Sequence, residues 1–381
     1  MAKVIPITER FQHFVKDLAD SLRKMIPWCG GIKMSHRERY GLRGPIKACV
    51  EESTFAGAVT ADGTQIPQWT SRYTTEFSVE GRLVSTRIRN SDGSEWVSST
   101  SYDASGRMLK GKWGNEGGPA TETVYFYDEH GKLLKITDSN KPDNPVTFRH
   151  DEHGRMIKRQ VSRPEDYQPN TADARSPFEA ADSPPNLPGG GSATTFFDEE
   201  DRPTEVQVRN AQGEIVNRAT RVYDKHGRVL EEHQIWDRPE TMFPAQLQEE
   251  ILQAGGSMEE LRRQLMQLMG GQPGPSSIAY SYDAEGRVTQ TRHRIFNVEH
   301  VIDTVYNQHG DKATEITRCA QIRGQNGQDT QRPGLPSYSE VRYSYQYDDR
   351  GNWTEETVSH RSSPDGDFVS STGRRRHLTY Y

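Results

Sequence analysis

The chain has 381 residues, with Lys+Arg 48 against Asp+Glu 54 and a formal net charge of −6, a balance that excludes a generally basic nucleic-acid surface. Leu, Ile, Val and Phe together make up roughly 18% of the residues, which is close to the level where disorder competes with folding, yet 9% are aromatic and the charges nearly cancel. An ordered but thin structure, wet over much of its surface, fits these values, and a thick globular core does not.

In chain order, the first expected element is a helix. Phe11, Phe14, Val15, Leu18, Leu22 and Met25 fall at helical spacing behind Thr8, and Pro27 should stop it. The same stretch carries Lys3, Glu9, Arg10, Lys16, Asp17 and Asp20, which interrupt the apolar region that a secretory signal needs. Cytoplasmic residence is therefore the default. No run approaches the ~18 apolar residues of a membrane helix. Cys29, Cys49 and Cys319 form no C-x-x-C pair, so neither a disulfide framework nor a cysteine zinc site is expected.

From about residue 71 one pattern repeats: Tyr102-Asp103-Ala-Ser-Gly106-Arg107, Tyr127-Asp128-Glu-His-Gly131-Lys132, Tyr223-Asp224-Lys-His-Gly227-Arg228, Tyr282-Asp283-Ala-Glu-Gly286-Arg287 and Tyr347-Asp348-Asp-Arg-Gly351-Asn352. Weaker copies stand at Gly81-Arg82, His150 to Arg155, Phe197 to Arg202 and Tyr306 to Asp311. The Asp carboxylate suits the opening of a type I turn, and Gly three residues on supplies the left-handed conformation that closes a hairpin through a bulge. Flanking residues alternate as in half-buried strands, and the following Arg or Lys is placed to cover aromatic surface near the turn. Asn90-Ser-Asp-Gly93 and Asn210-Ala-Gln-Gly213 supply the turns between successive hairpins.

Iterated at this spacing, Tyr-Asp-x-x-Gly-Arg resembles the YD repeat of the bacterial RHS family. The likeness covers most of residues 71–161 and 194–358. Gly41 to Val50 and the close from Tyr347 to Tyr381 are similar to short members without an assigned activity. The resemblance implies an extracytoplasmic or cell-surface role and an all-β chain. Two features depart from the long members: there is no Asp-Pro-x-Gly self-cleavage segment, and Tyr381 ends a strand-like run. A closed shell holding a toxin is accordingly not expected.

The predicted fold is all-β, a long twisted antiparallel meander of hairpins with an N-terminal helix and an inserted helical hairpin. Residues 1–40 form the helical segment, 41–161 a first β block, 162–193 a Pro/Gly-rich linker or loop, and 194–381 a second β block with a helical insertion at 243–270. Ser257-Met-Glu-Glu260 reads as a capping box before the stripe Leu261, Leu265, Leu268 and Met269. That stripe covers a sheet face or docks a protein partner.

Chemistry is sparse. No H-E-x-x-H, P-loop, G-x-S-x-G or G-x-G-x-x-G signature occurs, so no catalytic residue, metal or cofactor is assigned. His130, His153, His226 and His309 precede turn glycines whose hairpins lie roughly 10 Å apart, too far to share one ion. The turn Asp residues are accounted for as turn formers. Gly373-Arg-Arg-Arg-His377 reads as a charge-protected sheet edge and not as a nucleic-acid patch. The candidate ligand surface is the aromatic row Tyr125, Tyr127, Tyr280, Tyr282, Tyr343, Tyr345 and Trp353, whose rings either stack on sugars or pack the inner face of a sheet. The expected function is a non-catalytic interaction surface for polysaccharide or another protein. A scaffold docking its partner on the insertion, and an enzyme with a cleft not visible in the motifs, are the alternatives.

Overall fold

The computed structural model describes residues 35–55, 57–59, 65–163, 178, 187, 189–238, 257, 259, 263, 275–295, 298–321 and 338–381. One short helix, α1 (His36–Arg39), is followed by β1 (Ile46–Phe55) and a small hairpin, β2 (Ala58–Val59) and β3 (Gln65–Ile66). Eight more strands precede the Pro/Gly-rich segment: β4 (Trp69–Phe77), β5 (Leu83–Asn90), β6 (Glu95–Tyr102), β7 (Met108–Asn115), β8 (Ala120–Tyr127), β9 (Leu133–Asp138), β10 (Val146–His150) and β11 (Met156–Ser162). Eleven follow it: β12 (Gly190–Phe197), β13 (Pro203–Asn210), β14 (Ile215–Tyr223), β15 (Val229–Ile235), β16 (Pro275–Tyr282), β17 (Val288–Ile295), β18 (Val298–Tyr306), β19 (Lys312–Gln321), β20 (Tyr338–Tyr347), β21 (Trp353–Arg361) and β22 (Val369–Tyr380).

From β4 to β22 every strand pairs antiparallel with the next in sequence, and β1 pairs with both β4 and β22. The result is a closed ring of 20 strands. The meander expected from the repeats is present, but it has no free edge, since the chain start supplies the strand that joins its two ends. β11 and β12, on either side of the Pro/Gly-rich segment, pair directly. Among the described residues, and apart from the β2–β3 hairpin, the substantial strand contacts are between ring neighbours. Twenty strands at ~4.8 Å spacing, tilted as barrels require, enclose a space roughly 30–40 Å across.

The motif turns form as expected. In each full copy the Gly N–H donates to the Asp carbonyl, as in Gly106 to Asp103 at 3.0 Å, and a register shift marks the bulge. The turn glycines have positive φ, for example Gly106 at 85° and Gly227 at 77°. Asp201 takes this position in the fifth motif turn at φ 62° and accepts from Arg155 at 2.6 Å.

Buried side chains alternate to one face of the wall, including Ser71, Thr75, Thr86, Ile88, Thr121, Val206, Ala219 and Glu356. Register carries this face around the ring, as in Ser53 opposite both Arg374 and Ser71. It is the concave, inner face. Phe178 packs on it against Ala193, Val206 and Ala219. A second cluster of Leu42, Ile46, Cys49, Phe77 and Leu83 lies where the segment after α1 crosses to β1.

The helix expected over Phe11 to Met25 lies outside the described residues. So does the insertion at 243–270, with Leu261, Leu265 and Leu268, apart from Ser257, Glu259 and Arg263, of which Glu259 and Arg263 are helical. The Arg374-Arg375-Arg376 run is not at a sheet edge. β22 is bonded on both sides, and the arginines pair with Glu356, Glu355 and Glu51 respectively.

Candidate functional site

The repeat residues build a joint that runs from hairpin to hairpin. Asp103, Asp151, Asp198, Asp224 and Asp283 each hold the Arg of their own turn, Nε to Oδ2 at 2.6–2.7 Å. The guanidinium then lies over the ring of the next hairpin: Arg107 over Tyr127 at 5.1 Å, Arg202 over Tyr223 at 5.0 Å, Arg228 over Tyr282 at 4.7 Å and Arg287 over Tyr306 at 4.8 Å. That tyrosine donates its O–H to the carbonyl just after the same Arg, in Tyr127 to Met108, Tyr223 to Pro203, Tyr282 to Val229 and Tyr306 to Val288, at 2.7–2.9 Å. Each joint combines a hydrogen bond of about 1 kcal/mol with a cation–π contact of about 0.5–1 kcal/mol. The Arg thus stacks on the neighbouring repeat and not on its own tyrosine.

Two of the candidate ligand residues, Tyr127 and Tyr282, are committed to these joints. Tyr125 is half-buried on the inner face, and burial pushes its hydroxyl up to about 12. Tyr280 lies on the same face and is half-buried. Tyr343 donates to Glu315 at 2.6 Å and stacks with Tyr345 at 6.5 Å. Trp353 is 8% exposed beneath Arg376 at 3.5 Å and Arg374 at 5.5 Å. These last residues, with Glu356 and Glu51 as partners of the arginines, form a packed ionic–aromatic band on β20, β21, β22 and β1. It binds the closing strand to its neighbours and leaves little ring surface open.

Open ring surface occurs elsewhere. Phe55 and Trp69 stack at 4.1 Å and 12°, and Trp96 and Trp113 stack at 6.1 Å and 18°. Both pairs lie on the inner face by register, and Trp113 is 39% exposed. Around the second pair the same face carries Ser98, Thr121 and Asn140, whose Nδ2 donates to Thr121 Oγ1 at 2.5 Å. The sequence held a signal for this pair: Trp96 and Trp113 stand six residues before and six after the Tyr102–Arg107 turn, which makes them diagonal neighbours in the hairpin.

His130 and His153 are exposed on their turns, beside Glu129 and Glu152, whereas His309 stacks on Tyr347 at 3.9 Å. Among the described residues no group of three or more His, Cys, Asp or Glu side chains is arranged to hold a metal. Cys319 Sγ lies 2.9 Å from His300 Nδ1, and burial raises its thiol above the usual range, which disfavours the thiolate.

Two sets of groups make the shell acid-sensitive. His36 accepts the Leu83 N–H on Nδ1 at 2.9 Å. Burial first, then Arg39 and Arg82, lower it to about 4. Around Asp224, desolvation pushes upward but is outweighed by the Arg228 N–H and guanidinium and the His226 N–H, leaving the carboxyl at about 2. Both folded values lie below the unfolded ones, ~6.5 for His and ~3.9 for Asp. Their stabilisation is complete above those values and is lost as pH falls. Thermal melts should show a first decline between pH 6.5 and 4 and a steeper one from pH 4 to 2. His36→Asn should shrink the first, to which burial of His150 and His293 also contributes, and Asp224→Asn should shrink the second.

No family model matches the chain, and no curated protein matches it. Among solved structures, a porin-like protein from Bacteroides uniformis is 10% identical over 88% of this chain and 98% of its own, with a TM-score of 0.33. A second porin-like protein, from Bacteroides vulgatus, is 13% identical over 75% of this chain and 93% of its own, at 0.26. The TcdB2–TccC3–Cdc42 structure is 12% identical over 81% of this chain and 16% of its own, at 0.24. Likenesses this remote transfer no property to this chain.

Proposed function

We propose that this chain is a YD-repeat protein without catalytic activity, a hollow binding module whose ligand surface is the inner wall and whose ligand class is carbohydrate. The observation that carries this is the Trp96–Trp113 stack, with Trp113 39% exposed on the concave face among hydroxyl and amide side chains. Flat rings offer a sugar its apolar face, and the surrounding Ser, Thr and Asn groups suit its hydroxyls. Shallow, repeated contacts of this kind distribute affinity over many weak sites.

A lipid-spanning barrel is disfavoured by the wall itself. Its outer face carries Arg72, Arg87, Arg89, Lys110, Arg294 and Arg375, several of them in mid-strand. A membrane barrel needs an apolar outer band about 25 Å tall, and each Arg or Lys at its midplane costs about 2–4 kcal/mol. The alternative of a scaffold docking through Leu261, Leu265 and Leu268 gains no support, because those residues lie outside the described part.

A polysaccharide binding screen tests the proposal. Trp113→Ala should weaken binding of any positive glycan at least about tenfold while losing only the ~0.5–1.5 kcal/mol of its ring stack and keeping a cooperative melt, whereas Tyr127→Phe should lower stability by about 1 kcal/mol and leave binding intact. Glycan binding that is indifferent to Trp113 would remove the inner wall as the site.

A further inference from the structure

The hairpin joints are not equal, and one of them combines two independent weaknesses. Between β9 and β10 only Ile136–Val146 and Lys135–Thr147 are in register, whereas every other joint of the ring has five or more register pairs. At the same joint the repeat residues change. Lys132 replaces the turn Arg and meets the Asp128 carboxylate through its main-chain N–H, at 2.7 Å. His150 replaces the tyrosine, so no hydroxyl is available for the Leu133 carbonyl.

Other imperfect copies carry substitutes. Where Asp311 replaces the Arg, Tyr347 donates to its carboxylate at 2.9 Å, accepts from Asn307 at 2.7 Å and stacks on His309. Where Phe197 replaces the tyrosine, Arg155 lies over its ring at 4.9 Å and bonds both Asp151 and Asp201. The walls beside the weak joint are fastened by the Tyr127–Met108 bond on one side and the Arg155 cluster on the other.

We propose that the wall opens sideways between β9 and β10, making the barrel a hinged shell whose two halves of this joint part while the flanking hairpins stay intact. Opening of this kind is local unfolding confined to the element with the fewest cooperative bonds. It does not depend on what the inner wall binds.

Amide hydrogen exchange of the intact protein, read by peptide, tests it. Residues 133–150 should exchange at least about tenfold faster than β5–β7 or β13–β14. The double variant Lys132→Arg with His150→Tyr rebuilds the repeat joint and should slow exchange there about tenfold, with β20–β22 unchanged. An Ile136→Cys, Val146→Cys pair serves as a second test in one chain: oxidation should protect residues 133–150, and reduction should restore exchange. Equal protection around the ring, or exchange at 133–150 that neither change alters, would overturn the proposal.

Discussion

Asn352→Ala should destabilise the barrel by about 3 kcal/mol and loosen its closure before anything else. Asn352 is 1% exposed and stands where the other full copies of the repeat carry Arg or Lys. Its Oδ1 accepts the Arg43 N–H at 2.6 Å, and its Nδ2 donates to the Arg43 carbonyl and the Tyr380 hydroxyl, each at 3.0 Å. Tyr380 also donates to Asp348 at 2.5 Å, and Arg350 lies over its ring at 4.0 Å. One amide thus ties the segment before β1 to the last motif turn and the last strand. Alanine leaves the Arg43 N–H and carbonyl in a site built to exclude water, and the cost of unmet groups exceeds the value of the bonds themselves. Asn352→Asp is no rescue, since it loses both donations and adds a charge beside Asp348. Urea unfolding checks the magnitude, and exchange at β1 and β22 checks the location. A loss below about 1 kcal/mol would mean that closure does not depend on this residue.

Gly190→Ala should cost about 3–5 kcal/mol, near the upper end for a single substitution. Gly190 has φ 86°, and an added Cβ would collide with the Val161 carbonyl oxygen, the Arg163 nitrogen and the Ser162 carbonyl carbon, all main-chain atoms of the paired strand. Left-handed backbone costs a non-glycine residue about 1–2 kcal/mol. The collision adds to that, because backbone held in a ladder cannot move aside as a side chain can. Gly213→Ala separates the two effects. Its φ is 83° and nothing lies within 4 Å of the added atom, so only the backbone strain of about 1–2 kcal/mol applies. Equal losses in the two variants, measured by urea midpoints, would refute the close approach of β11 and β12 at Gly190.

The hairpins were legible because their turn chemistry is local. Asp and Gly three residues apart determine a turn wherever they stand, and alternating Tyr marks the strands beside it. Closure was not legible, because it depends on β1, which lies outside the repeats and has only its own alternation to announce it. With β1 unassigned as a partner of β22, Arg374–Arg376 resembled an edge; the glutamates that pair with these arginines are 18 to 325 residues away in sequence. The tyrosine row was visible as an inner-face pattern, but its division between joints and open surface was not. That division depends on which hydroxyl reaches a neighbouring carbonyl, a matter of register between repeats. The tryptophan pair was within reach through its symmetric spacing about one turn, a cue less conspicuous than the repeated tyrosines.

The twenty strands close on themselves, and a distance between β1 and β22 tests this closure most directly. Glu52 and Arg375 are register partners on the outer face of that joint. With a fluorescent donor and acceptor attached at Glu52→Cys and Arg375→Cys, in a chain whose native cysteines are replaced by serine, a closed barrel gives near-complete energy transfer. A sheet open between β1 and β22 holds these strands roughly 90 Å apart at ~4.8 Å per strand, and transfer close to zero would contradict closure.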